Sequence, residues 1–136
     1  METSMSKLIT QEQRALLLAN GAEFDRNEDF DPPPVVKLFM PDGGATWLLA
    51  SLDPECPDIA FGLCDLGFGF PEMGSVRLSE IEGARGALGL RVERDLHFTA
   101  DRPLTAYALD ASRAGRIVTE RCPATADGND APGGTA

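Results

Sequence analysis

Proline and glycine punctuate this chain so closely that no regular element after the first twenty residues can run far beyond ten. Pro32, Pro33 and Pro34, then Pro41 with Gly43 and Gly44, Pro54, Pro57, Gly67, Gly69, Pro71, Gly74, Gly83, Gly86, Gly89, Pro103 and Gly115 follow one another at short intervals. Proline removes a ladder or helix donor, and glycine supplies turns that other residues resist. Only short strands and short helices fit between such breaks, and their order decides the fold class.

The first segment is helical. Thr10 and Gln13 form a capping-box pair, residues 11–20 contain the strong helix formers RALLLA, and Gly21 is a suitable stop. Residues 23–34 mix charges with three prolines and read as an extended connector. Residues 35–40 and 46–52 are apolar and rich in strand formers, and the Pro41-Asp42-Gly43-Gly44 turn joins them as a hairpin. Residues 59–66 supply a third strand after a proline-rich turn, and residues 75–78 a brief fourth.

Ser79 with Glu82 predicts a short helix to about Ala84, residues 92–99 alternate as a strand, and Pro103 opens a helix that Gly115 ends. Strands clustered ahead of helices predict an α+β fold, a small antiparallel β-meander packed with about three helices in a single domain. The expected boundaries are an N-terminal extension over 1–9, the domain over 10–119 and a disordered tail over 120–136, where RCPATADGNDAPGGTA offers little to bury. A hydrophobic content of 43% supports one core, with Trp47 inside it.

No run approaches the roughly 18 apolar residues of a membrane span, and METSMSKLIT lacks the apolar block of a signal peptide, so the expected location is the cytoplasm. Cys56, Cys64 and Cys122 have neither disulfide-framework nor zinc-site spacing, and the one histidine, His97, does not complete a zinc set. No cofactor is expected, since neither a Walker sequence nor a G-x-G-x-x-G is present.

Charge is the strongest functional signal. The formal charge is −10, and residues 20–75 hold eleven acids against two bases, whereas residues 76–121 hold eight arginines against seven acids. Direct binding to nucleic acid is therefore disfavoured, and a dense acidic segment is suited to a basic partner. Asp25, Glu28, Asp29, Asp31, Asp53, Glu55 and Asp58 are the candidate partner-binding carboxylates. Turn chemistry competes for Asp53, Asp58 and Asp65, because aspartate beside proline often bonds a neighbouring amide. Phe68 and Phe70 lie in a glycine loop expected to tuck at least one of them into the core. Exposed, the pair would be an apolar anchor for a protein.

Glu93, Asp95 and His97 would share one face of a strand, the ligand types of a divalent cation in a metal-dependent enzyme acting on nucleic acid. An ordinary half-exposed strand explains the same alternation. A Cys64–His97 dyad is the weaker nucleophilic alternative.

The segments PPPVVKLFMPDGGATWLLASLDP, FGLCDLGFGFPEMGSVRLSEIE and VERDLHFTADRPLTAYA resemble a family of short bacterial proteins of unknown function, over residues 8–118. Its members are commonly carried on plasmids and conjugative elements, and it brings no catalytic residues to transfer. The resemblance implies an accessory gene of mobile DNA, a setting of conjugation helpers and suppressors of host defence. Joined to the charge, it favours an interaction protein that occupies the site of a basic nucleic-acid-binding protein of host defence. A structural or regulatory subunit without chemistry and the metal-dependent enzyme are the alternatives.

Overall fold

A computed structural model describes residues 8–119. The elements run α1 (Gln11–Arg26), β1 (Val36–Phe39), β2 (Thr46–Asp53), β3 (Cys56–Asp65), β4 (Glu72–Arg77), α2 (Leu78–Gly83), β5 (Glu93–Arg94) and α3 (Leu104–Ala114). The strands form one antiparallel sheet in the order β4-β3-β2-β1-β5, so the α+β meander expected from the sequence is the fold. β1 to β4 follow one another as hairpins, and β5 joins the outer side of β1.

Helices cover both faces of the centre. One core gathers Leu17 of α1, Leu78 and Ile81 of α2, and Val36, Leu38, Trp47, Leu49 and Leu52 of the sheet. The other joins Leu104, Tyr107 and Ala111 of α3 to Leu48, Ala50 and Leu63. β2 is thus buried on both sides, which explains why its sequence is continuously apolar rather than alternating. The register of β2 against β3 shifts between Leu49 and Ser51, and this bulge lets Leu49 and Leu52 face the same core although they are three apart. Leu8 and Ile9 are buried in the first core, so packing begins before residue 10. The expected tail over 120–136 lies outside the described residues.

Three expectations are corrected. α1 does not stop at Gly21 but continues to Arg26, because the glycine serves to bring helix and sheet together. A Cβ on Gly21 would stand 1.9 Å from the Leu52 carbonyl oxygen, and the neighbouring Asn20 donates from Nδ2 to the Ala50 carbonyl at the bulge (2.8 Å). The capping box of Thr10 and Gln13 at the other end is present in full.

Residues 92–99 contain only the two-residue β5. Its partner β1 is four residues long and preceded by prolines without donors, so pairing ends once the Asp95 amide has bonded the Lys37 carbonyl (2.9 Å). Asp95 Oδ1 then accepts the His97 amide at 2.8 Å and turns the chain.

Ser79, third, is not the cap of α2 but lies within its first turn. Asp58 of β3 takes the capping role, accepting from the Ser79 amide (2.9 Å) and hydroxyl (2.7 Å). The Ser79 hydroxyl bond, with the amide bond and nearby Arg77, holds the Asp58 carboxyl below its ordinary range. A depressed carboxylate adds stability above its unfolded pKa of about 3.9 and loses it as pH falls through the lower folded value. Asp58→Ala is therefore expected to cost on the order of 1 kcal/mol at neutral pH, and the difference from the unsubstituted protein should vanish in strong acid. Urea unfolding at a series of pH values checks this, and a difference that does not depend on pH would reject the cap.

Candidate interaction surfaces

The acids of the first half divide into two groups once their bonds are traced. Asp31 and Asp58 are structural. Asp31 accepts from the amide (3.2 Å) and hydroxyl of Thr105 and so caps α3, whose own flanking residue, Pro103, supplies no side-chain bond. Each aspartate comes from a distant part of the chain to meet donors left free at a helix start, where negative charge is also favoured by the helix dipole. Asp65 is buried and accepts from the Gly67 (2.9 Å) and Ile117 (3.0 Å) amides.

Asp25, Glu28, Asp29 and Glu55 are exposed, and among the described residues their carboxylates have no bonded partner. Asp53 is also exposed and bonds only the Glu55 amide, in the turn its sequence predicts. The end of α1 meets the β2–β3 turn, which holds Asp53 and Glu55, and Glu28 and Asp29 follow α1 in the stretch between Phe24 and Phe30, whose rings are in contact (5.3 Å). Asp25 and Asp53 line a cleft of about 290 Å³ there, floored by Phe24, Leu52, Pro54 and Phe61. Arg26 at this end is paired with Glu23, and Arg77 faces Asp58. The end is strongly negative.

The opposite end is aromatic. Phe68 and Phe70 are 79% and 80% exposed, which corrects the expectation that one of them is core. The loop cannot fold over them because Gly67 packs against Gly44 of the β1–β2 turn, where a Cβ on either would have a neighbour within 3.3 Å. Gly67 and Gly69 both take φ +90°, so the chain reverses without enclosing a side chain. Leu66, Leu88 and Leu90 are exposed in the same loop and in the neighbouring one, which Asp42 ties to the β1–β2 turn through the Leu88 amide. Arg113 and Arg116 flank Gly115, itself 3.7 Å from the Gly69 carbonyl when extended by a Cβ.

The two ends are separated by the length of β2, eight residues or about 25 Å. The structure therefore does not bring the carboxylates and the phenylalanines into one cluster.

Glu93, Asp95 and His97 do not share a strand face either. Asp95 faces Lys37 Nζ (3.7 Å), which also donates to Thr119 (2.6 Å). His97 is exposed and lines a polar pocket of about 360 Å³ with Lys37, Asp95, Asp101 and Thr119. Glu93 lies in a different cleft, beside Arg91 and Arg94. Among the described residues no three of His, Cys, Asp and Glu are placed to hold a metal ion.

Cys64 and His97 are separated by the width of β2 and β1, on the order of 14 Å between strands β3 and β5. Burial moreover pushes the Cys64 thiol up to about 11, so it is not a thiolate at neutral pH. What sequence reading missed is the network of Asp101, Arg102, Tyr107 and Asp110. Tyr107 donates to Asp101 (2.9 Å), and Arg102 lies 4.4 Å from the Tyr107 ring centre while bonding both aspartates. It fixes the entry to α3 and has no local signature beyond the charges themselves.

No curated protein and no solved structure matches the chain. Residues 8–118, which hold every element above, match the family described as protein of unknown function DUF2958, and the chain belongs to that family.

Proposed function

We propose that this is a small acidic interaction protein of mobile genetic elements, and that it inhibits a basic nucleic-acid-binding protein of host defence by offering carboxylates where that protein expects phosphates. The observation that carries the reading is the pair Asp25 and Asp53 lining one cleft, with exposed Glu55 in the adjoining turn and exposed Glu28 and Asp29 in the segment that the Phe24–Phe30 ring contact holds beside it. Arginine and lysine bind carboxylate and phosphate with related geometry, so a cleft built for one accepts the other. The mobile-element setting rests on the resemblance of the three quoted segments. Asp31 and Asp58 drop out of the contact because helix caps occupy them.

Affinity capture from a bacterial host, followed by binding kinetics on the partner obtained, tests the proposal. Combined Asp25→Asn, Glu28→Gln, Asp29→Asn and Glu55→Gln substitution should slow association by about tenfold or more, and added salt should reproduce the loss. Phe68→Ala should leave the same rates unchanged, since the loop is about 25 Å away. A partner indifferent to salt and to the four amides would end the charge-mimic reading.

A further inference from the structure

The cleft at the carboxylate end is more than a cluster of charge. Its volume of about 290 Å³ lies at the lower limit of small-ligand pockets, roughly 300 Å³, which is room for one side chain rather than for a cofactor. The floor is aromatic and already assembled. Phe24 meets Phe30 and Phe61 at steep angles of 68° and 74°, with ring centres 5.3 and 6.0 Å apart, so the rings hold one another in place before anything binds.

Ser51 supplies an independent sign of a ligand. Ser51, Phe61 and Ser75 are direct cross-strand partners on β2, β3 and β4, so their side chains stand on one face of the sheet, and all three line the cleft. Ser51 is 5% exposed, and among the described residues its hydroxyl has no bonded partner. A buried hydroxyl without a bond is costly, and a donor entering the cleft would satisfy it.

The lining restricts what that donor can be. Asp25 and Asp53 exclude an anion, and a purely apolar segment would strip water from both carboxylates without replacing their bonds. A divalent cation would meet aromatic rings where it needs oxygens, and among the described residues no three ligating groups converge. An ammonium is compact and strongly hydrated, whereas a guanidinium leaves water more readily and lays its planar face on rings. The chain's own arginines at this end are engaged, Arg26 with Glu23 and Arg77 with Asp58.

We infer that the cleft seats one arginine side chain of a protein partner, its guanidinium on the Phe24–Phe61 floor and bonded to Asp25, Asp53 and the Ser51 hydroxyl, its stem along Leu52 and Pro54. The identity of the partner rests on the charge-mimic reading, to which the seat adds a division of roles. Asp25 and Asp53 hold the bound arginine, so their loss speeds dissociation as well. Glu28 and Asp29 lie outside the cleft and act through the field alone, so their loss slows association only.

Titration of the isotope-labelled full chain with N-acetyl-arginine methylamide at constant ionic strength, followed by nuclear magnetic resonance, tests the seat without the partner. Saturable shifts of the Ser51, Leu52 and Asp53 amides are expected, with a dissociation constant on the order of 1–10 mM. N-acetyl-citrulline methylamide, the uncharged isostere, should not saturate, and N-acetyl-lysine methylamide should bind about threefold or more weakly. Asp25→Asn and Asp53→Asn should each weaken the arginine probe by about threefold or more, Phe61→Leu by about threefold through loss of the ring, and joint Glu28→Gln and Asp29→Asn by less than about twofold. Ser51→Ala should weaken it by about twofold or more while the melting temperature stays equal or rises, since the hydroxyl it removes bonds nothing in the free protein.

An absence of saturable shifts, citrulline or lysine binding as well as arginine, or an Asp53→Asn variant that binds unchanged would each overturn the inference. The two readings fail separately. A probe that does not seat, beside a captured partner slowed by the four amides, removes the arginine seat and keeps the charge mimic. A probe that seats as described, beside a partner indifferent to salt and to the four amides, keeps the seat and ends the charge mimic.

Discussion

Gly21→Ala is expected to destabilise the protein by about 2–3 kcal/mol, although the substitution improves helix propensity by as much as about 1 kcal/mol. The reason is the seat of α1 on β2. The added methyl would stand 1.9 Å from the Leu52 carbonyl oxygen, 3.0 Å from its carbon and 3.1 Å from Pro54 Cδ. The first two are backbone atoms of β2, a strand paired on both sides, and cannot turn aside as a side chain does.

The helix must lift instead, at the 1–3 kcal/mol or more that overpacking costs. Lifting also stretches the buried bond from Asn20 Nδ2 to the Ala50 carbonyl, and a polar pair left unbonded there adds about 1–3 kcal/mol. For a domain of this size the net loss lowers the melting temperature by on the order of 10 °C. Gly83→Ala is the control, since nothing lies within 4 Å of its added methyl, and it should be neutral or slightly stabilising. Urea unfolding of the two variants decides the matter. Equal midpoints would mean that α1 is not held on β2 through Gly21.

Gly21 also marks where sequence reasoning reaches its limit. Glycine after a helical run is a stop signal when judged locally, and the same glycine permits close approach when a strand lies beneath it. Only the position of β2 distinguishes the two. Where both partners of an interaction are close in sequence, the reading held: Thr10 with Gln13, the turn before Gly43 and Gly44, and the αL Gly115 after α3 are all as their residues predict. Trp47 is buried as well.

The strand over 92–99 failed because alternation is necessary but not sufficient for pairing. The Asp95 carboxylate takes the His97 amide and turns the chain away, and beyond it residues 98 and 99 would fall opposite Pro34 and Pro33, which have no donors. The acids show the same division. Asp53 bonds within its own turn and was legible, whereas Asp31 and Asp58 reach helices 74 and 21 residues away, and no local pattern announces such caps. The sequence favours burial of at least one of Phe68 and Phe70 because large apolar side chains are usually covered. Their loop is instead held flat by the contact of Gly67 with Gly44, which no property of the loop alone reveals.

Asp65→Ala is expected to cost about 3 kcal/mol, several times the effect of Asp53→Ala, although both aspartates accept the amide two residues ahead. The difference is burial. Asp53 is exposed, so water replaces the lost carboxylate and the cost stays below about 1 kcal/mol. Asp65 is 3% exposed and holds two chain segments at once, the Gly67 amide at the root of the aromatic loop and the buried Ile117 amide after α3.

Removing it leaves two donors without acceptors, at about 1–3 kcal/mol each, while relief of the carboxylate's own desolvation returns part of the loss. Asp65→Asn should fall between, at about 2 kcal/mol, because its single oxygen can serve one amide and its NH₂ group opposes the other. Denaturant unfolding gives the ranking. Hydrogen exchange gives the cause, since the Gly67 and Ile117 amides should lose protection together in Asp65→Ala. If they exchange as in the unsubstituted protein, the carboxylate does not couple the loop to the end of α3. The orientation of Phe68 and Phe70 must then be set by the Gly44 contact alone.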